Sequence, residues 1–101
     1  MTDEGKNGIH LATVSGTYKN TEIISLLVSC GVDINGKTNN ERRTPLMLGS
    51  ILGNDLAVEA LLENGAKIDI QDYEGNTALH LACIYNQESI VATLIETECS
   101  F

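Results

Sequence analysis

Two eight-residue phrases, RRTPLMLG at 42–49 and GNTALHLA at 75–82, stand 33 positions apart and share a Thr and two Leu in register. The likeness runs on past them. Gly49 meets Ala82, Ser50 meets Cys83, Val58 meets Val91, Leu61 meets Leu94 and Leu62 meets Ile95. A fainter copy comes first, in Ile9, His10, Leu11 and Ala12 and then Ile24, Leu27, Val28 and Gly31. Its second half lies 34 positions ahead of Val58, Leu61, Leu62 and Gly65. Self-similarity at such a period confines the chain to stacked units, because one short unit cannot bury its apolar face alone.

Each copy reads as a helix, a turn, a second helix and a stop. Thr44 and Thr77 precede apolar runs, where a hydroxyl can accept from the unpaired N–H groups of a first helical turn. Pro45 follows at the first helical position, where its missing donor costs nothing. Asn7 and Gly8 take these places in the first copy. Small residues such as Gly49 and Ser50 let neighbouring helices approach closely. Turns are expected at Gly53-Asn54-Asp55 and Asn86-Gln87-Glu88. Ala57, Val58, Leu61 and Leu62 then form the face of a core-facing helix. Gly31 and Gly65 sit just past such helices, where a left-handed backbone ends them cheaply. Val32–Asn35 and Ala66–Asp69 read as short extended stretches leading into polar turns.

This pattern resembles the ankyrin repeat. RTPLM and NTALHLA match that family's Thr-Pro-Leu-His phrase, and LLENGAKIDI and LVSCGVDIN match its helix end and hairpin entry. The resemblance implies an all-α solenoid of helix-turn-helix units with short hairpin-like loops. A tail would occupy 1–4, and repeats 5–37, 38–70 and 71–101, the first with a longer inter-helix loop at 15–21. There are departures. Met47 replaces the motif His in the middle copy, and Glu98 stands where the relatives have a terminal glycine. Ile90, Val91, Leu94 and Ile95 read as an internal repeat, so either further repeats in a parent protein or self-association through an open repeat end is expected, the first being favoured. At His80 the resemblance implies a structural imidazole bonded to neighbouring turns.

Composition narrows the chemistry. A net charge of −8 repels nucleic-acid phosphates and anionic membranes and suits a basic segment on a partner protein. No apolar run approaches the roughly 20 residues of a membrane helix. Three cysteines, Cys30, Cys83 and Cys99, follow no metal-finger spacing and suit free thiols in a reducing cytoplasm or nucleus. His80 and Cys83 share a helix face, but a small-residue role for Cys83 outweighs a metal site. No nucleophile elbow, zinc-protease motif or phosphate cradle is present. Glu59, Glu63, Asp69, Asp72 and Glu74 read as a solvated scatter. Neither enzyme, metal nor cofactor is expected.

What remains is protein binding, which the resemblance places on a concave face of hairpin fingers and first helices. The fingers are GKTNNERR, 36–43, and IQDYEGN, 70–76. The variable positions after the small pair are Val14-Ser15, Ile51-Leu52 and Ile84-Tyr85. If exposed together, Ile51, Leu52, Tyr73, Ile84 and Tyr85 would form an apolar contact patch, with Arg42 and Arg43 gripping a carboxylate and Asn76 at the finger's base. Coverage of Ile51 and Ile84 by adjacent helices is the competing expectation. Asp33-Ile34-Asn35 after Leu27 resembles a site of asparagine hydroxylation by 2-oxoglutarate oxygenases. Side-chain capping of the hairpin by Asn35 is favoured over that. The functional expectation is a non-enzymatic interaction module, regulatory or inhibitory. A structural spacer within a longer array and an inhibitor of Rel-type transcription factors are the alternatives.

Overall fold

Thr44 and Thr77 start their helices as their positions require. In the computed structural model, which describes residues 8–15, 20–38 and 41–98, Thr44 Oγ1 accepts the Met47 N–H at 3.3 Å. Thr77 Oγ1 accepts from the His80 N–H, while His80 Nδ1 accepts from the Thr77 N–H at 3.0 Å. That reciprocal cap satisfies two end groups at once. Thr77→Ala is expected to cost about 1 kcal/mol and to lower the melting temperature by roughly 4–8 °C in a thermal scan.

Six helices follow from these signals among the described residues: α1 (Gly8–Ser15), α2 (Asn20–Ser29), α3 (Pro45–Leu52), α4 (Asp55–Glu63), α5 (Ala78–Ile84) and α6 (Glu88–Glu98). No strand forms among those residues. The hairpin-like fingers are held instead by turn bonds, among them Thr38 N–H to Arg43 O at 3.0 Å and Asp72 N–H to Asn76 O at 2.9 Å. Gly65 carries φ 92°, the left-handed turn that stops α4. Asn54 caps α4 by accepting from the Ala57 N–H, so the expected turn is one residue shorter than its three letters. Ser15 closes α1 and Asn20-Thr21 opens α2, which draws both edges of the expected 15–21 loop into helix. Its centre, 16–19, and the proposed cap Asn7 lie outside the described residues.

The helices form two layers. α1, α3 and α5 lie side by side, and α2, α4 and α6 back them in the same order. One seam runs between the layers. Ile9, Ile24, Leu46, Leu61, Leu81 and Leu94 are each at most 2% exposed along it. Burial of one such side chain contributes about 1.5–3 kcal/mol. Leu62 packs half-buried at the edge of the seam, whereas Ile95 is 45% exposed and not covered as an internal repeat would be. Its neighbour Val91 is half-buried.

Candidate functional site

The two fingers are knitted to each other by polar groups that the sequence does not advertise. The Asp72 side chain is fully buried. Its Oδ1 accepts from the backbone N–H groups of Glu74 and Asn76, each at 2.9 Å, and its Oδ2 lies 3.4 Å from Arg43 Nε. Arg43 also lies 3.4 Å from Glu41. Above this pair the Tyr73 N–H donates to the Glu41 carbonyl at 3.0 Å. A buried carboxylate needs this full set of donors, since burial without partners would be costly.

Two expectations are overturned here. Asp72 is no part of a solvated scatter, because its carboxylate organises the second finger. Arg43 is not available to grip a partner's carboxylate, because Asp72 and Glu41 already hold its guanidinium and its side chain is 15% exposed. Arg42 is exposed, with a left-handed φ of 59° that is uncommon outside glycine. Asn76 is half-buried, and its backbone is committed to the turn. Tyr73 is 62% exposed at the tip, and its hydrogen bond to Glu74, reinforced by that carboxylate's charge, raises its phenol above the ordinary value.

The helix ends divide differently from the fingers. Leu52 and Tyr85, 33 positions apart, are 54% and 46% exposed. Ile51 is half-buried and packs against the core, so it does not join the exposed patch. Its counterpart Ile84 is 63% exposed. The difference follows from neighbours, because α5 lies beside α3. The expected single strip is therefore two groups. Arg42 and Tyr73 lie on the fingers, on the N-terminal side of α3 and α5. Leu52, Ile84 and Tyr85 lie at the opposite helix ends. The seven residues of α5 span about 10 Å between them.

Other ties cross between units. His10 Nε2 lies 3.1 Å from the Arg43 carbonyl, the bond to a neighbouring turn expected of a motif His. His80 differs, serving its own cap with an exposed side chain. Asn35 Oδ1 accepts the Lys67 N–H at 2.9 Å, so the amide joins two units. Asn54 Nδ2 donates to the Thr13 carbonyl and Gln87 Nε2 to the Ile51 carbonyl, each at 3.0 Å. These two amides, 33 positions apart, strap each unit to the one before it. Gln87 comes so close that a Cβ on Gly53 would lie 2.6 Å from it. Their shared position was the signal available in the sequence.

For chemistry other than binding the arrangement offers little. Among the described residues no three His, Cys, Asp or Glu side chains gather into a metal-holding group. Cys30 and Cys83 are exposed free thiols, and Cys99 lies outside the described residues. No described helix is long and apolar enough to cross a membrane.

A family model described as ankyrin repeats (3 copies) matches residues 9–101. NF-kappa-B inhibitor alpha of Rattus norvegicus is 33% identical over 97 residues, covering 96% of this chain and 31% of that protein. The nuclear factor NF-kappa-B p105 subunit of Mus musculus is 35% identical over 92 residues, covering 90% of this chain and 9% of the relative. A putative ankyrin repeat protein of fowlpox virus is 37% identical over 92 residues, covering 89% and 26%. The chain spans less than a third of the length of these curated relatives.

Proposed function

Because this chain belongs to the ankyrin-repeat family, we propose that it is a non-enzymatic module that captures a partner protein on the concave side of its array. The observation that carries this reading is the repeated exposure of Leu52 and Tyr85 beside a buried seam. Helix ends with no packing duty hold an aliphatic and an aromatic side chain in solvent, and such groups tend to anchor interfaces. Tyr73 and Arg42 on the fingers give the partner a second point of contact. The likeness to NF-kappa-B inhibitor alpha supports a narrower form, in which the partner is a Rel-type transcription factor and the role is inhibitory. The charge of −8 favours a basic segment on that partner. Exposed Cys30 and Cys83 favour a reducing cytoplasm or nucleus.

The test is binding of an NF-kappa-B-type transcription factor to the chain and to the Leu52→Glu/Tyr85→Ala double variant. The double variant is expected to bind at least about tenfold more weakly, a loss of about 1.4 kcal/mol, with a melting temperature within a few degrees of the parent. Affinity for the parent should fall as salt is raised. Unchanged affinity in a folded variant removes these residues from the interface. No binding by the parent chain removes the Rel-type reading.

A spacer within a longer array is the second reading, favoured by the exposed Ile84 and Ile95 at the outer side of the third unit. Hydroxylation of Asn35 rests on sequence resemblance, and modification would have to coexist with its bond to Lys67. A one-oxygen mass gain after co-expression with a 2-oxoglutarate asparagine hydroxylase tests it.

A further inference from the structure

The second unit shows what each side of a repeat looks like when it is covered, and the outer units show the same positions uncovered. In the second unit, with helices packed on both sides, Ser50 and Val58 are both 0% exposed. Their counterparts in the third unit, Cys83 and Val91, are exposed and half-buried. With Ala82 and Ile95 they line an apolar groove of about 430 Å³ between α5 and α6. On the side facing the preceding unit, Ala57 and Ile90 are each 1% exposed. They sit three positions after the straps Asn54 and Gln87, on the same helix face. Their counterpart at the front of the first unit, Ile23, is 44% exposed. The strap amide also recurs in the sequence at Asn20, 34 positions before Asn54.

Among the described residues the chain thus shows exposed counterparts of both halves of its internal interface, around Ile23 and around Cys83 and Ile95. We infer that the front of α2, around Ile23, docks into the α5–α6 groove of a second copy, so that copies stack head to tail as the repeats do within the chain. The occupant is argued from continuity with the internal seam, where an Ala57 or Ile90 face already packs against a unit of the same build. Such a contact joins two different surfaces, so it propagates and does not close at a dimer. It uses neither Leu52 nor Tyr85 and is independent of the partner-binding proposal. Like net charges oppose it, so it strengthens as salt screens them.

Sedimentation of the full chain over a dilution series tests this. The mean mass is expected to climb from the 10.9 kDa of one chain past that of two, and to climb further at higher salt. Ile23→Glu and Ile95→Glu, both at exposed positions, should each hold the chain monomeric. Mixed in equal amounts they should form a discrete dimer, because one retains an intact groove and the other an intact front. If Ile95→Glu unfolds, Cys83→Glu at the exposed thiol replaces it. A wild-type chain that stays monomeric throughout overturns the inference. So does self-association of Ile23→Glu by itself, which would mean groove-to-groove pairing, or a mixture that remains monomeric.

Discussion

Leu61→Ala is expected to cost about 2–5 kcal/mol and to lower the melting temperature by more than about 10 °C. Leu61 is 0% exposed on α4, the middle helix of its layer, with α2 on one side and α6 on the other. The side-chain carbons removed carry a transfer loss of about 0.8 kcal/mol per methylene-sized group. A cavity term adds to it, because helices held on two sides cannot collapse into the gap. A domain of this size holds roughly 5–15 kcal/mol in total, so the variant spends much of that margin. Leu26→Ala is the control: at 65% exposure it should change stability by no more than about 0.5 kcal/mol. Urea melts of the two variants decide the matter. Equal losses would mean that the seam is not where the array gains its stability.

That prediction could almost be made from letters. The 33-residue echo places Leu61 opposite Leu94, and both are buried. Caps at Thr44 and Thr77 and the stop at Gly65 were equally legible, since each depends on a few neighbouring residues. Legibility ends where a residue's surroundings come from another unit. Ile51 and Ile84 hold one repeat position, yet one is half-buried and the other exposed, because only the first has a unit packed beyond it. Periodicity treats them alike. Arg43 read as a spare cation for a partner, but a carboxylate 29 positions away on a different loop claims it. Nothing local in GKTNNERR reveals that. The candidate surface suffered most, since exposure, unlike helix capping, is decided by the whole stack.

The finger pair sets up the second large effect. Asp72→Ala is expected to cost about 3–5 kcal/mol, because it removes the fully buried partner of the Arg43 guanidinium and leaves only the half-exposed Glu41 beside it. It also leaves the N–H groups of Glu74 and Asn76 without their acceptor. Asp72→Asn separates the two causes. An amide oxygen can still accept from both backbone donors, so a loss near that of alanine would assign the effect to the Arg43 pairing. Pairing Asp72→Ala with Arg43→Met in a double-mutant cycle should give a coupling of about 1–3 kcal/mol, the range for residues sharing one network. The damage should also be local. Repeat arrays hold together through nearest-neighbour interfaces, and this network lies at the junction of the second and third units. Hydrogen exchange in Asp72→Ala is therefore expected to accelerate most in α5 and α6, with α1 and α2 nearer to the parent. Uniform acceleration across the six helices would show that the fingers support the whole stack and not one joint. No change in stability would show that water satisfies Asp72's partners as well as the carboxylate does.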